Sequence, residues 1–239
     1  VAERPTAALG WVDEVVVRSM LVLEPAGDAG RARDMSAYMR DRFPFIGIPT
    51  PRRRGLLAES WGDLPEPSPE ELAAATGQLW RLAGREYQYA ACDLLGRFLG
   101  TPRRAHRFGP GFLTTAVLPL LTSKQWWDTV DSLRAVAVGP LVAAHPGLVA
   151  TMRAWVEDDD PWLVRSAIIH QLGYGRATDE ALLLELCARH ADDREFFVAK
   201  AIGWALRTHA RHRPDAVRQF CEDHPELTPL ARREALKHL

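Results

Sequence analysis

Trp127 and Asp131 stand four residues apart in the segment Trp126-Trp127-Asp128-Thr129-Val130-Asp131, a spacing that puts both side chains on one face of an α-helix. An indole face and a carboxylate both present negative potential, so the pair is suited to stabilising a developing cation. The same spacing also fits an amphipathic helix at a core boundary, with the tryptophan inward and the aspartate in water. Six residues leave both readings open, and the elements that must position the pair have to decide.

The chain has 239 residues, of which 47 % are hydrophobic, enough for one large domain or two small ones. Cys92, Cys187 and Cys221 lie far apart, with no CxxC pair. Neither a zinc site nor a disulfide framework is indicated, and a reducing compartment is the natural setting. The longest apolar run, Ala135 to Ala144, is interrupted by Gly139-Pro140 and is too short to span a bilayer. The N-terminus shows no basic-then-apolar signal pattern. These features predict a soluble, cytoplasmic protein. A net charge of -1 gives no global argument for nucleic acid. Local basic clusters at Arg52-Arg53-Arg54, Arg103 to Arg107, Arg207 to Arg213 and Arg232-Arg233, set against the acidic block Glu157 to Asp160, allow a molecule with one basic side.

Helix start signals recur, while sustained alternation of β-branched residues is absent. Ser68-Pro69-Glu70-Glu71 combines a capping box with proline at the first helical position, and Asp160-Pro161 and Thr228-Pro229 repeat the cap-then-proline arrangement. An all-α chain is predicted. The loop Leu64 to Ser68 separates an N-terminal helical region, about residues 1–63, from repeats over 68–239, with a second break at Phe108-Gly109-Pro110-Gly111.

Two segments align at a shift of 34 residues: Trp162 to Leu172 on Phe196 to Leu206, with identities Val164/Val198, Ala167/Ala201, Ile168/Ile202 and Leu172/Leu206. Those positions form the buried stripe of an amphipathic helix. Helix pairs at such a period are what a HEAT-like solenoid needs, since each pair buries its apolar face against its neighbours. Glu86 to Phe98 and Trp126 to Val138 take equivalent places in earlier repeats. If equivalent helices line one concave face, Arg165 and Trp204 join Trp127 and Asp131 there, both turned outward from the core stripe. An exposed tryptophan on such a helix calls for a ligand or partner. Trp126 and Trp162 are expected in the core.

These motifs, in this order, resemble the AlkD family of bacterial DNA alkylation repair glycosylases. The resemblance begins at the run from Tyr38 to Pro51 and continues through Glu86 to Ala90, Trp126 to Asp131 and Trp162 to Arg165. It ends with Glu195-Phe196-Phe197, Ala201 to Arg207 and Leu230 to Leu236. It implies a curved solenoid of antiparallel HEAT-like helix pairs in a single domain with a concave DNA-binding face. It further implies Asp131, Trp127 and Trp204 as catalytic residues, with Arg165, Tyr38, Phe196 and Phe197 near the DNA. Where relatives carry lysines after the Arg165 helix, this chain has Gly173-Tyr174-Gly175-Arg176, so some phosphate attraction there is either lost or shifted to Arg176.

The implied reaction is hydrolysis of the N-glycosidic bond of purines alkylated at a ring nitrogen, such as 3-methyladenine and 7-methylguanine. Such bases are cationic and leave without protonation, so the sugar's oxocarbenium character is what remains to be stabilised. A carboxylate is worth about 3 to 4 kcal/mol in that role, and each aromatic contact about 0.5 to 2 kcal/mol. No cofactor, metal or membrane is called for. The expected partner is double-stranded DNA containing alkylated bases, met by a monomer. Phosphate contact is preferred for Arg165 over an ion pair with Asp131, because an arginine on a concave face suits that role. The competing class is a non-catalytic helical scaffold that binds DNA or protein.

Overall fold

The computed structural model describes residues 10–239; the first nine residues of the N-terminal helical region lie outside the described residues. Regular structure among the described residues is entirely helical. No single helix among them is long and apolar enough to cross a membrane. The chain divides after Phe98 into two compact units, so the Leu64–Ser68 loop falls inside the first unit.

The first unit contains α1 (Trp11–Leu23), α2 (Ala29–Tyr38), α3 (Thr50–Ser60), α4 (Pro69–Arg81) and α5 (Arg85–Leu99). Helix α1 buries Val15, Ser19 and Leu23 at successive four-residue steps and packs on α3 and α4. The capping box read from Ser68 and Glu71 is formed at the start of α4. Between α2 and α3 the chain runs without regular structure through Ile46, Gly47 and Ile48, and its N–H groups need acceptors. Buried Glu86 supplies them, accepting from the Ile46, Gly47 and Ile48 amides at 2.8, 2.8 and 3.0 Å. Gly47 has φ +94°, and a Cβ there would meet the Asp28 carbonyl oxygen at 2.0 Å, so glycine is required.

The second unit runs through α6 (Pro102–Ala105), α7 (Leu118–Leu121), α8 (Trp127–Leu133), α9 (Gly139–Ala144) and α10 (Val149–Trp155). It continues through α11 (Pro161–Ile169), α12 (Glu180–Ala188), α13 (Phe196–Ala210), α14 (Pro214–Asp223) and α15 (Pro229–Ala235). The caps read from sequence are in place: Asp160 accepts from the Trp162 amide and Thr228 from the Ala231 amide. Helix α11 packs between α8 and α13, and α13 between α11 and α15, while α10, α12 and α14 pack on the row so formed. This is a helical-repeat fold, in which each helix finds its apolar partner in the next repeat.

The 34-residue alignment is realised in the core: Val164, Val198, Ala167, Ala201, Ile168, Ile202 and Leu206 are all buried. Leu172 departs from it. Helix α11 ends at Ile169, and Leu172 sits half-buried in the turn that follows. There Gln171 pairs with the backbone of Asp179, accepting from its N–H at 2.8 Å and donating to its carbonyl at 3.1 Å.

Candidate functional site

Asp131 lies in α8, four residues after Trp127, which opens the helix. Beyond Leu133 the chain continues into a π-helical stretch, Arg134–Val138, before α9. Pro140 explains the wider turn: it has no N–H to give and its ring would collide with a carbonyl of the preceding turn. The Gly139 N–H accordingly bonds the Arg134 carbonyl, five residues back. The same device precedes Pro119, where the Leu118 N–H bonds the Leu113 carbonyl.

Arg165, at the middle of α11, closes on Asp131. Its Nε and Nη2 donate to the two carboxylate oxygens at 2.8 and 2.9 Å, and its Nη1 donates to the Phe197 carbonyl at 2.7 Å. Fork-to-fork pairing fixes both side chains in one plane and is the stronger class of ion pair. Trp204 of α13 completes the group, half-buried, with the Arg165 guanidinium carbon 5.9 Å from its ring centroid. The structure therefore brings Asp131, Arg165 and Trp204 together from three successive helices of the row. Trp127 is half-buried and shares the Asp131 face by helical geometry.

Two expectations about Arg165 are corrected. It is not outward-facing but 5 % exposed, and the ion pair with Asp131, not preferred from sequence, is formed. The reason is that every residue of α11 from Trp162 to Ile169 is buried; a helix enclosed by neighbours has no solvent face to offer an arginine. The pair also has a repeat logic. Asp131 and Arg165 are 34 residues apart, as are Lys200 and Glu234, which pair at 2.8 Å between α13 and α15.

The remaining expected residues are dispersed. Phe197 belongs to an aromatic cluster, its ring centroid 5.1 Å from Trp126 and 4.8 Å from Trp162. It joins the site only through its backbone carbonyl. Phe196 meets Phe197 edge-to-face and is 51 % exposed, the more exposed ring of the pair. Arg176 is exposed on the wall of a separate cleft of about 300 Å³, with Glu180, His209, His212 and Arg213. Tyr38, in the first unit, is 73 % exposed at the end of α2. It is followed closely by Arg40 and Asp41 in the left-handed region, at φ 58° and 55°, a conformation non-glycine residues adopt sparingly.

Sequence reasoning missed Arg134. Its guanidinium carbon is 5.7 Å from the Trp204 centroid, and it lies within electrostatic range of both Asp131 and Arg165. A signal existed. Arg134 is three residues after Asp131 and seven after Trp127, on the same helical face, and it borders an otherwise apolar run.

Fold and site together define a class: an all-helical repeat protein whose adjacent repeats assemble carboxylate, guanidinium and indole. The model of the DNA alkylation repair enzyme family matches residues 20–239, and the chain belongs to that family. Membership supports a role in the repair of alkylated DNA. The structure is similar to that of a predicted DNA alkylation repair enzyme from Enterococcus faecalis, with a TM-score of 0.73 and 30 % sequence identity over 89 % of this chain and 96 % of that one. The comparison with curated proteins finds no match.

Proposed function

We propose that the protein is a monofunctional DNA glycosylase that hydrolyses the N-glycosidic bond of cationic alkylated purines in duplex DNA, the 3-methyladenine and 7-methylguanine class, as the first step of base excision repair. The observation that carries the reading is the Asp131 carboxylate, clamped by Arg165 beside Trp204. A clamped carboxylate needs no reorganisation as charge develops, which is the condition under which electrostatic stabilisation is most effective. Its side chain retains 20 % exposure, so it is reachable from outside.

In this reading the C1′–N bond breaks with its electron pair going to the base, which leaves neutral because it began as a cation. The sugar then carries the positive charge. Asp131 stabilises it and orients a water whose oxygen bonds C1′ while its proton passes to solvent or the carboxylate. Trp127 and Trp204 offer ring faces to the same charge. Because no group has to protonate the leaving base, selectivity follows from leaving-group chemistry, and a neutral normal base stays attached.

The scaffold reading draws on one observation of its own: the Asp131–Arg165 pair occupies the same repeat spacing as Lys200–Glu234, so a purely structural rung is built the same way. Incubating methylated duplex DNA with the native protein and Asp131→Asn separates the two. The expected result is release of 3- and 7-methylpurines by the native protein, slowed about 100- to 1,000-fold in the variant. Absence of release by the native protein, or equal rates for both, sinks the glycosylase reading.

A further inference from the structure

Arg165 and Arg134 both approach Trp204, yet their electrostatic situations are opposite. Arg165 has three donors committed, to Asp131 and the Phe197 carbonyl, and its side chain is only 6 % exposed. Asp131 neutralises it. Arg134 donates to no protein acceptor among the described residues, and its Nε is buried without a partner. Burial pushes its guanidinium below the usual arginine range, with Asp131 only partly opposing that and Arg165 adding to it. A partly buried cation without a hydrogen-bonded anion is unfavourable, and its persistence points to a partner that arrives from outside.

The surroundings say what that partner is. Arg134 lies on the wall of a cleft of about 170 Å³ that is also lined by Gly139, Pro140, His170 and Tyr174. The Tyr174 hydroxyl already donates to the Gly139 carbonyl at 2.7 Å. The His170 Nδ1 is 2.6 Å from the Ala167 carbonyl, which can only accept, so Nδ1 holds the proton and the buried Nε2 carries a lone pair with no donor role to offer. Among the side chains of this wall, Arg134 is thus the one with donors to give, and what it gives suits an anion with two oxygens in a fork.

We propose that Arg134, and not Arg165, is the phosphodiester-binding arginine of the site, taking the DNA phosphate next to the nucleotide that faces Asp131 and Trp204. The assignment rests on the DNA-acting reading above. Arg165 then positions the carboxylate, Arg134 positions the strand, and Trp204 lies against both guanidinium groups.

The test measures binding of duplex DNA by the native protein, Arg134→Gln and Arg134→Met between about 50 and 200 mM salt. Losing one phosphate contact should lower the slope of log K against log salt by about 0.9 and weaken binding about 10- to 100-fold. A single neutral methylphosphonate placed beside the lesion should weaken the native protein but add nothing to the loss in Arg134→Gln. Thermal unfolding without DNA supplies a readout that a structural role would move: Arg134→Met loses a contact with the Trp204 ring but no intramolecular hydrogen bond, so its Tm should change little. An unchanged salt slope in Arg134→Gln, or a large drop in Tm in Arg134→Met, overturns the assignment while base release by the native protein leaves the glycosylase reading standing. A native protein that binds no duplex overturns both.

Discussion

The ion pair between Asp131 and Arg165 gives the most demanding prediction, because its two partners are buried unequally. Asp131→Ala strands a guanidinium that is 5 % exposed, and removing one member of a buried pair costs about 3 to 5 kcal/mol. Arg165→Ala strands a carboxylate that keeps 20 % exposure and leaves the Phe197 carbonyl without its donor, about 3 kcal/mol together. If the effects were independent, the double variant would lose about 6 to 8 kcal/mol. It strands no charge, however, and should lose only about 3 to 4 kcal/mol, a coupling of about 3 kcal/mol. Urea unfolding of the four proteins measures this, with equal m-values as the condition for comparison. Additivity within about 0.5 kcal/mol would mean the pair is not an energetic unit and would return Arg165 to the role of a DNA ligand. The cycle has a functional arm as well. Arg165→Ala should cost base release nearly as much as Asp131→Asn, yet leave the salt slope of DNA binding unchanged, the reverse of what an exposed arginine would do.

Two further outcomes test the framework around the site. His170 is 1 % exposed, and burial brings its pKa down from 6.5 to about 4; below about pH 6.5 the unfolded chain therefore takes up a proton that the folded protein refuses. Its contribution to stability is fully retained above that pH and falls by about 3 kcal/mol as the pH drops to about 4. Urea unfolding of the native protein and His170→Leu at about pH 7.5 and about pH 4.5 should show the difference between them shift in favour of the variant at the lower pH, and a constant difference refutes the buried neutral state. Gly47→Ala places a Cβ at φ +94° against the Asp28 carbonyl and should cost more than about 3 kcal/mol. A native-like melting curve for that variant would show that the segment held by Glu86 is not fixed as described.

Caps and stripes were legible from the residues because they depend on near neighbours alone. Ser68, Asp160 and Thr228 each bond an amide two or three residues on, and the Val164, Ala167 and Ile168 stripe reappears buried one repeat later. What escaped depends on what lies on the far side of a helix. Periodicity says which residues share a face, but it cannot say that α11 is enclosed all round, and so it turned Arg165 outward. Phe197 was expected near the DNA, but its part in the site escaped for another reason: its contribution is a carbonyl, which every residue has. Arg134 was visible as a lone cation on the Asp131 face, but its want of an acceptor is a property of the folded surroundings.

The two rungs of the repeat show what separates a structural carboxylate from an available one. Glu234 and Asp131 have nearly the same exposure, 16 % and 20 %, so access does not distinguish them. Charge does. Glu234 is bonded by both Lys200 and Arg207, and the Lys200 bond foremost brings its pKa down to about 2; two cations on one carboxylate leave no net negative charge for anything that approaches. Asp131 meets one guanidinium directly, and the second nearby, Arg134, makes no hydrogen bond to it. A phosphate on Arg134 would remove that cation's opposition to a positively charged sugar just as the strand is seated. The carboxylate would then act on the developing cation with Arg165 as its sole directly paired cation. On this argument DNA binding and electrostatic readiness are one event at Asp131, and Arg134 couples them.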